Sequence, residues 1–423
     1  MLEKLSQIWR VKEIRNKILY VLFILLIFRL AAHIPIPGVD IEGLKSFFES
    51  NQLLGLANLF SGGAMSNFSV VMLGIAPYIT SSIIFQLLTV IVPRLAELQK
   101  EESGRQKINQ WQRMLTVPLA IVQSYATIHI LKQQGQGIIT GLDGFNLVVA
   151  IVTITAGSLF LMWLGELISE KKIGNGISLL IFAGIIARFP QQISQTIVTF
   201  TAANVINLMV LVFIGLVTIA GVVYITQGQR NIPVSYARRI RGNKMYGGVN
   251  THLPLRVNQA GVIPIIFALS FVLIPPLIAQ FFVESGNYWV ATIAEWVVIN
   301  FKGGLVYGVL YFTFVVAFTY FYTTVVFHPD QIADNLQKQG GFIPGIRPGR
   351  NTAEFLNYVS NRIILGGALF LGVIAVLPTI LQSATNISTL TIGGTSLLII
   401  VSVVIQTVKQ IESQLVMRDY EGF

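Results

Sequence analysis

The 423-residue chain contains no cysteine and only four histidines, His33, His129, His252 and His328. The first absence excludes disulfide bonds, thiolate catalysis, iron–sulfur clusters and any zinc site built on cysteine. The histidines lie far apart in sequence and show no metal-ligand spacing. Charge is scarce as well: 11% of residues are Asp, Glu, Lys or Arg, against roughly a quarter in a soluble domain. Apolar residues fill the gap, at 53% of the chain, and mean hydropathy is +0.69. Such a chain cannot cover a water-facing surface, which rules out a soluble globule and the disordered and fibrous classes. His-Glu-x-x-His, Gly-x-Ser-x-Gly and Gly-Lys-Ser/Thr motifs are missing too, and with them the commonest metalloprotease, hydrolase and phosphate-loop chemistries.

What is present is a series of apolar runs, most of them free of Asp, Glu, Lys and Arg. A bilayer core needs about 20 apolar residues per helix, and the sequence supplies ten candidate spans: near residues 18–34 (interrupted by Arg29), 70–92, 114–131, 147–168, 176–189, 205–227, 260–282, 303–326, 363–381 and 389–408. The first is expected to remain as a helix, since no Ala-x-Ala cleavage pattern follows it. The charge-free stretch ahead of the second is rich in Gly, Ser and Asn, and reads as a half-length element. An even number of crossings puts both termini on one side. Of the 29 Lys and Arg residues, 24 fall on that side; the others are Arg29, Lys45, Lys132, Arg188 and Lys302. This asymmetry predicts cytoplasmic termini and accounts for the net charge of +10 without nucleic acid.

Charges within the spans are few: Arg29 and Glu166, with Glu170 and Arg188 at ends. An ion-coupled carrier places a carboxylate near mid-membrane, whereas Glu166 sits near the cytoplasmic end and reads as structural. Arg29, in the outer third of its helix, is expected to snorkel. Gly174-Asn175-Gly176 reads as a tight turn opening the fifth helix. Thr80-Ser81-Ser82 has no histidine or lysine partner in its span. The chain is therefore expected not to be an enzyme and to need no cofactor or metal.

Four stretches carry a more specific signal: Leu73–Leu88 (LGIAPYITSSIIFQLL), Lys172–Ser178 (KIGNGIS), His252–Pro264 (HLPLRVNQAGVIP) and Gly341–Gly349 (GFIPGIRPG). In this order and spacing they closely resemble the SecY family, the channel-forming subunits of the Sec protein translocase. The resemblance implies an all-α polytopic membrane protein of two pseudo-symmetric halves around a central hourglass pore. Residues 1–195 would hold helices 1–5 and a plug at 56–69. Residues 196–423 would hold helices 6–10 and cytoplasmic docking loops at 228–258 and 328–362.

By the same resemblance the pore ring maps to Ile79, Ile83, Ile181, Ile185, Ile266 and Ile399, with Ile265 and Ile400 as neighbouring choices. Residues at i and i+4 share a helix face, and apolar side chains form a constriction that dewets when empty. The plug includes Leu59, Phe60, Ser61, Gly62, Gly63 and Ala64, expected as a marginal helix; the alternative is an external loop on the lipid. Gln86, Gln123 and Asn258 are expected at a lateral gate between helices 2–3 and 7–8. Arg238, Arg239, Arg241 and Arg347 are expected to dock the SecA ATPase or the ribosome. Implied partners are SecE and SecG, signal peptides and nascent polypeptides, and membrane lipids. The implied location is a bacterial-type plasma membrane, or the related thylakoid membrane. The function implied is a protein-conducting channel that also releases helices sideways, the alternative being a polytopic solute transporter.

Overall fold

The structure, a computed structural model, describes residues 9–37, 39–40, 43–44, 58, 61–134, 144–198, 205–236, 239–241, 244–246, 250–283, 286–301, 304–385 and 394–421. Ten of its helices correspond to the expected crossings: α1 (Lys12–Ala31), α2 (Ala76–Ile91), α4 (Glu102–Gln134), α5 (Phe145–Glu170), α6 (Gly176–Val198), α7 (Val205–Gln227), α8 (Ile263–Gln280), α10 (Leu305–Val326), α12 (Arg350–Thr385) and α13 (Gly394–Glu421). Three shorter helices join them: α3 (Pro93–Lys100), α9 (Tyr288–Phe301) and α11 (Pro329–Lys338).

These helices are apolar on nearly every face, as membrane helices must be. In α1 the buried stripe is Ile14, Val21, Ile24 and Phe28, while Leu22, Phe23, Leu26 and Leu30 face outward. Among the described residues, six helical stretches are long and apolar enough to cross a membrane, or seven if the bent pair α2–α3 is one span. Helix α1 carries at least three charged residues in every 18-residue window. At about 1.5 Å per residue, α12 and α13 run to about 54 and 42 Å, longer than the ~30 Å core, so both project into water.

The span ends differ from expectation in instructive ways. Helix α2 begins at Ala76, not near residue 70, because Gly74 at φ +58° breaks the backbone and Pro77 opens the helix. It ends at Val92, held extended ahead of Pro93, since proline disfavours helical geometry in the residue before it. The chain then bends by 105° into α3. Helix α4 starts twelve residues before the expected 114, carrying its charged end out of the bilayer. The turn expected at Gly174–Gly176 opens α6: Asn175 Oδ1 accepts the amides of Ile177 and Ser178 at 3.0 and 3.2 Å, capping the helix.

Beyond the face where α1 begins and α13 ends, here called the terminal face, the chain builds a small sheet. Strand β1 (Gln229–Tyr236) pairs antiparallel with β4 (Asn250–Arg256), Gln229 opposite Arg256, and on its other edge with β5 (Gly341–Phe342). Between β1 and β4 in sequence, β2 (Arg239–Arg241) and β3 (Lys244–Tyr246) pair as a separate hairpin. Ile232, Val234, Leu255, Ile343, Leu356 and Val359 form one buried cluster, so the two expected docking loops share a core. On the opposite face α9 lays Ala294 and Val298 on Ala279 and leaves Trp289 and Trp296 72% and 56% exposed, the position of an interfacial aromatic belt.

Candidate pore waist, plug seat and gate seam

Helices α2, α6, α8 and α13, distant in sequence, meet at one buried cluster. Ile83, Ile181, Ile185, Ile266 and Ile399 belong to it, each between 1% and 7% exposed. Ile79 packs against it half-buried. Ile265 is also fully buried, while Ile400 packs against the cluster partly buried. Ala64, Val71 and Ile75, in and after the expected plug, join the same cluster. Branched, carbon-only side chains here leave no buried hydrogen-bonding group unsatisfied when they separate.

From Ser61 to Ile75 the chain is a succession of turns broken by one bridge, Ser69 to Pro35; of the start of the expected marginal helix, only Asn58 is described, and it is helical. Gly62 and Gly63, at φ +69° and +86°, take conformations that side chains resist. Short side chains replace the helical ladder. Ser61 Oγ donates to the Asn58 carbonyl at 3.0 Å and accepts from Met65 N–H at 3.2 Å, while Asn58 Oδ1 accepts from Ser66 N–H at 3.0 Å. Ile36 N–H and Val70 N–H bond to the carbonyls of Phe68 and Ile34, tying the segment to the chain leaving α1. A Cβ at Gly157 would overlap the Val70 carbonyl, so α5 presses directly on this backbone. Ser61 to Ser66 are buried in protein rather than laid on lipid. Leu59 and Phe60 lie outside the described residues.

The seam between α2 and α4 on one side and α8 on the other looks different. Gln123 Nε2 donates to Thr80 Oγ1 at 3.4 Å, joining α4 to α2. Gln86 Nε2 donates to Ser82 Oγ, and Asn258 Nδ2 to the Gly261 carbonyl. These bonds stay on their own side of the seam. Gln86 Oε1 and Asn258 Oδ1 are buried and accept no bond. What crosses is apolar and aromatic: α2 packs on α8, and the His129 ring stacks on Phe281 with centroids 5.1 Å apart and planes within 1°. Tyr125 extends the stack, 5.9 Å from His129. Sequence reasoning missed this pair, because neither residue stands in a motif.

Elsewhere the polar links are directional. Arg113 Nε lies 2.7 Å from Glu166 Oε1, bridging α4 to α5, so Glu166 is a structural residue as expected. Lys171 Nζ stands 4.7 Å from the centre of the Tyr20 ring, and Gln414 Nε2 donates to the Lys172 carbonyl at 2.6 Å. On the terminal face a cleft of about 860 Å³ opens between α2–α4 and α10–α12, lined by Thr89, Lys100, Arg105, His328 and Asp330 among others. Arg347 is exposed in a turn framed by Gly345 and Gly349 at positive φ, and its carbonyl accepts from Thr352 Oγ1. Arg239 and Arg241 lie on the hairpin β2–β3; Arg238 is outside the described residues. Among the described residues, no group of three or more His, Asp or Glu converges on a metal-sized site.

Ten apolar helices that match the expected crossings, packed about one large buried apolar cluster, define a multi-pass membrane protein. The SecY family model matches residues 69–408. The protein translocase subunit SecY of Mycobacterium bovis is 45% identical, with 98% of each chain covered. The chain belongs to the SecY family. Among solved structures, it resembles a SecY whose plug domain stabilises the closed translocation channel and maintains a membrane seal (TM-score 0.62, 19% identity, 92% of this chain and 90% of that one). It also resembles Sec61 in the canine ribosome–channel complex (TM-score 0.60, 16% identity, 93% and 91%).

Proposed function

We propose that the chain is the channel through which unfolded secretory polypeptides cross a bacterial plasma membrane, and from which transmembrane segments leave sideways into the bilayer. The observation that carries this reading is that isoleucines from four helices belong to one buried apolar cluster, which also holds Ala64. A polar filter would bind some sequences and pass ions; a collar of isoleucine holds no fixed ligand and moulds around whatever occupies it. Ile79, Ile83, Ile181, Ile185, Ile266 and Ile399 act as the collar, and the segment through Ser61–Ala64 as the plug. The seam of α2 and α4 against α8 acts as the lateral gate. Gln86 and Asn258 keep acceptors there that a displaced helix or lipid headgroup can satisfy, and Gln123 braces the N-terminal side.

The termini are cytoplasmic, given the distribution of Lys and Arg. The terminal-face platform then docks the energy source through Arg239, Arg241 and Arg347, with Arg238 beside them. SecA or a translating ribosome fills that role, and SecE and SecG pack around the helices. The halves divide near residue 195, residues 1–195 carrying the first five crossings and 196–423 the last five. The chain catalyses no bond chemistry. A solute transporter would need a polar site at mid-membrane, whereas the Arg113–Glu166 pair lies toward the terminal face.

A natural chain without cysteine makes the test direct. With Ile83→Cys, a secretory precursor bearing one cysteine and arrested midway should form a disulfide that depends on its signal sequence. Equal reaction at lipid-facing Leu216→Cys would remove the collar assignment.

A further inference from the structure

We infer that Arg29 and Arg188 are positioning residues that latch the plug in its seat, a role that rests on reading this segment as a plug. They are two of the five basic residues off the terminal face, and both reach the same stretch, 62–66. Arg29, in the last turn of α1, donates from Nη1 to the Gly62 carbonyl at 2.8 Å. Arg188, on α6, extends Nη2 to Ser66 Oγ at 3.4 Å. The Ser66 hydroxyl donates onward to the Gly63 carbonyl at 2.9 Å, which leaves its oxygen lone pairs to accept from the guanidinium. Arginine in a membrane helix is costly, and snorkelling toward water would relieve it. Instead, both side chains turn inward to the plug.

The backbone is shaped for these contacts. A Cβ at Gly62 would lie 2.8 Å from Gly184 Cα and 3.1 Å from Phe28 Cζ. The Gly62 peptide is therefore gripped between α1 and α6, with its carbonyl toward Arg29. A Cβ at Gly63 would come within 3.2 Å of Arg188 Nε. Both acceptors are neutral, and this suits a removable part. A guanidinium cannot lose its proton and carries five donors, so a polypeptide in the channel offers its own carbonyls as replacements. The passing chain thus takes over from the plug as the acceptor for each cation. The latch therefore yields to a chain and holds against spontaneous opening.

The test uses the full chain reconstituted with its partners, reading resting ion leak and export of a precursor with a defective signal. A hydrogen bond to a charged group is worth enough that Arg29→Leu should raise the leak about tenfold and admit the defective precursor. Arg29→Lys, which keeps a charged donor, should restore much of the block. In a channel lacking residues 61–66, Arg29→Leu should add nothing. If that deletion raises the leak while Arg29→Leu and Ser66→Ala do not, the latch is wrong and the plug stands. If the deletion itself changes nothing, the plug reading fails first. A further leak from Arg29→Leu in the deleted channel would assign Arg29 to the waist and overturn the latch. Should Arg29→Leu not accumulate, Gly62→Ala, which displaces the accepting carbonyl, and Ser66→Ala carry the same expectations.

Discussion

The proposed waist and the proposed plug seat share one buried cluster, yet opposite chemistries hold them. At the proposed waist, Ile83, Ile181, Ile185, Ile266 and Ile399 are buried in one apolar cluster. In the seat, Asn58, Ser61, Ser66 and the Gly62 carbonyl are fixed by directional bonds. Separating isoleucines loses dispersion contacts that any apolar neighbour restores. Separating the seat orphans buried donors and acceptors, each costing about 1–3 kcal/mol until it finds a new partner. The waist is thus tolerant of what passes, and the seat is selective about when. The gate seam resembles the waist, since its crossing contacts are α2 on α8 and the His129–Phe281 stack.

Exchanging the two chemistries is the strongest way to break this contrast. Ile83→Asn places an unpartnered amide in the waist, at a cost of roughly 1–3 kcal/mol unless water enters. Resting ion leak, measured as conductance of the reconstituted channel, should rise at least several-fold. An unchanged leak would mean that the waist does not depend on being dry. A smaller effect is expected at the seam. His129→Leu keeps apolar bulk but removes ring stacking worth about 0.5–1.5 kcal/mol. Precursors with weakly apolar signals should then be exported up to about tenfold faster, while those with strong signals change little. Slower export of both would show that the stack supports the fold instead.

Much of the fold was legible because the bilayer sets a hard rule: each crossing needs a long apolar run, and all ten runs have matching helices. Their ends were less so. Helix α4 continues through charged residues such as Arg105 and Lys107 once outside the core, where hydropathy no longer marks it. The sheet was missed although Ile232 and Val234 alternate toward its core, because the basic residues around it read as loop. Helix α9 was missed too, since fourteen residues cannot cross a bilayer and only the aromatic run from Tyr288 marks it. Spacing alone could not distinguish waist isoleucines from the many others. Ile79 and Ile83 stand one turn apart, as do lipid-facing pairs, and only the resemblance pointed to them. The gate polar residues were legible by type but not by partner: Gln123 finds Thr80 on its own side.

The most direct test of a dry, collapsible waist is the ion current through single reconstituted channels, read before and after a precursor is arrested within. If the isoleucines mould around the chain, current stays near the resting level with the plug displaced, and falls below that of an emptied, plug-deleted channel. A current that rises on arrest to match the emptied channel would contradict the account, because the waist would then be a rigid, water-filled passage.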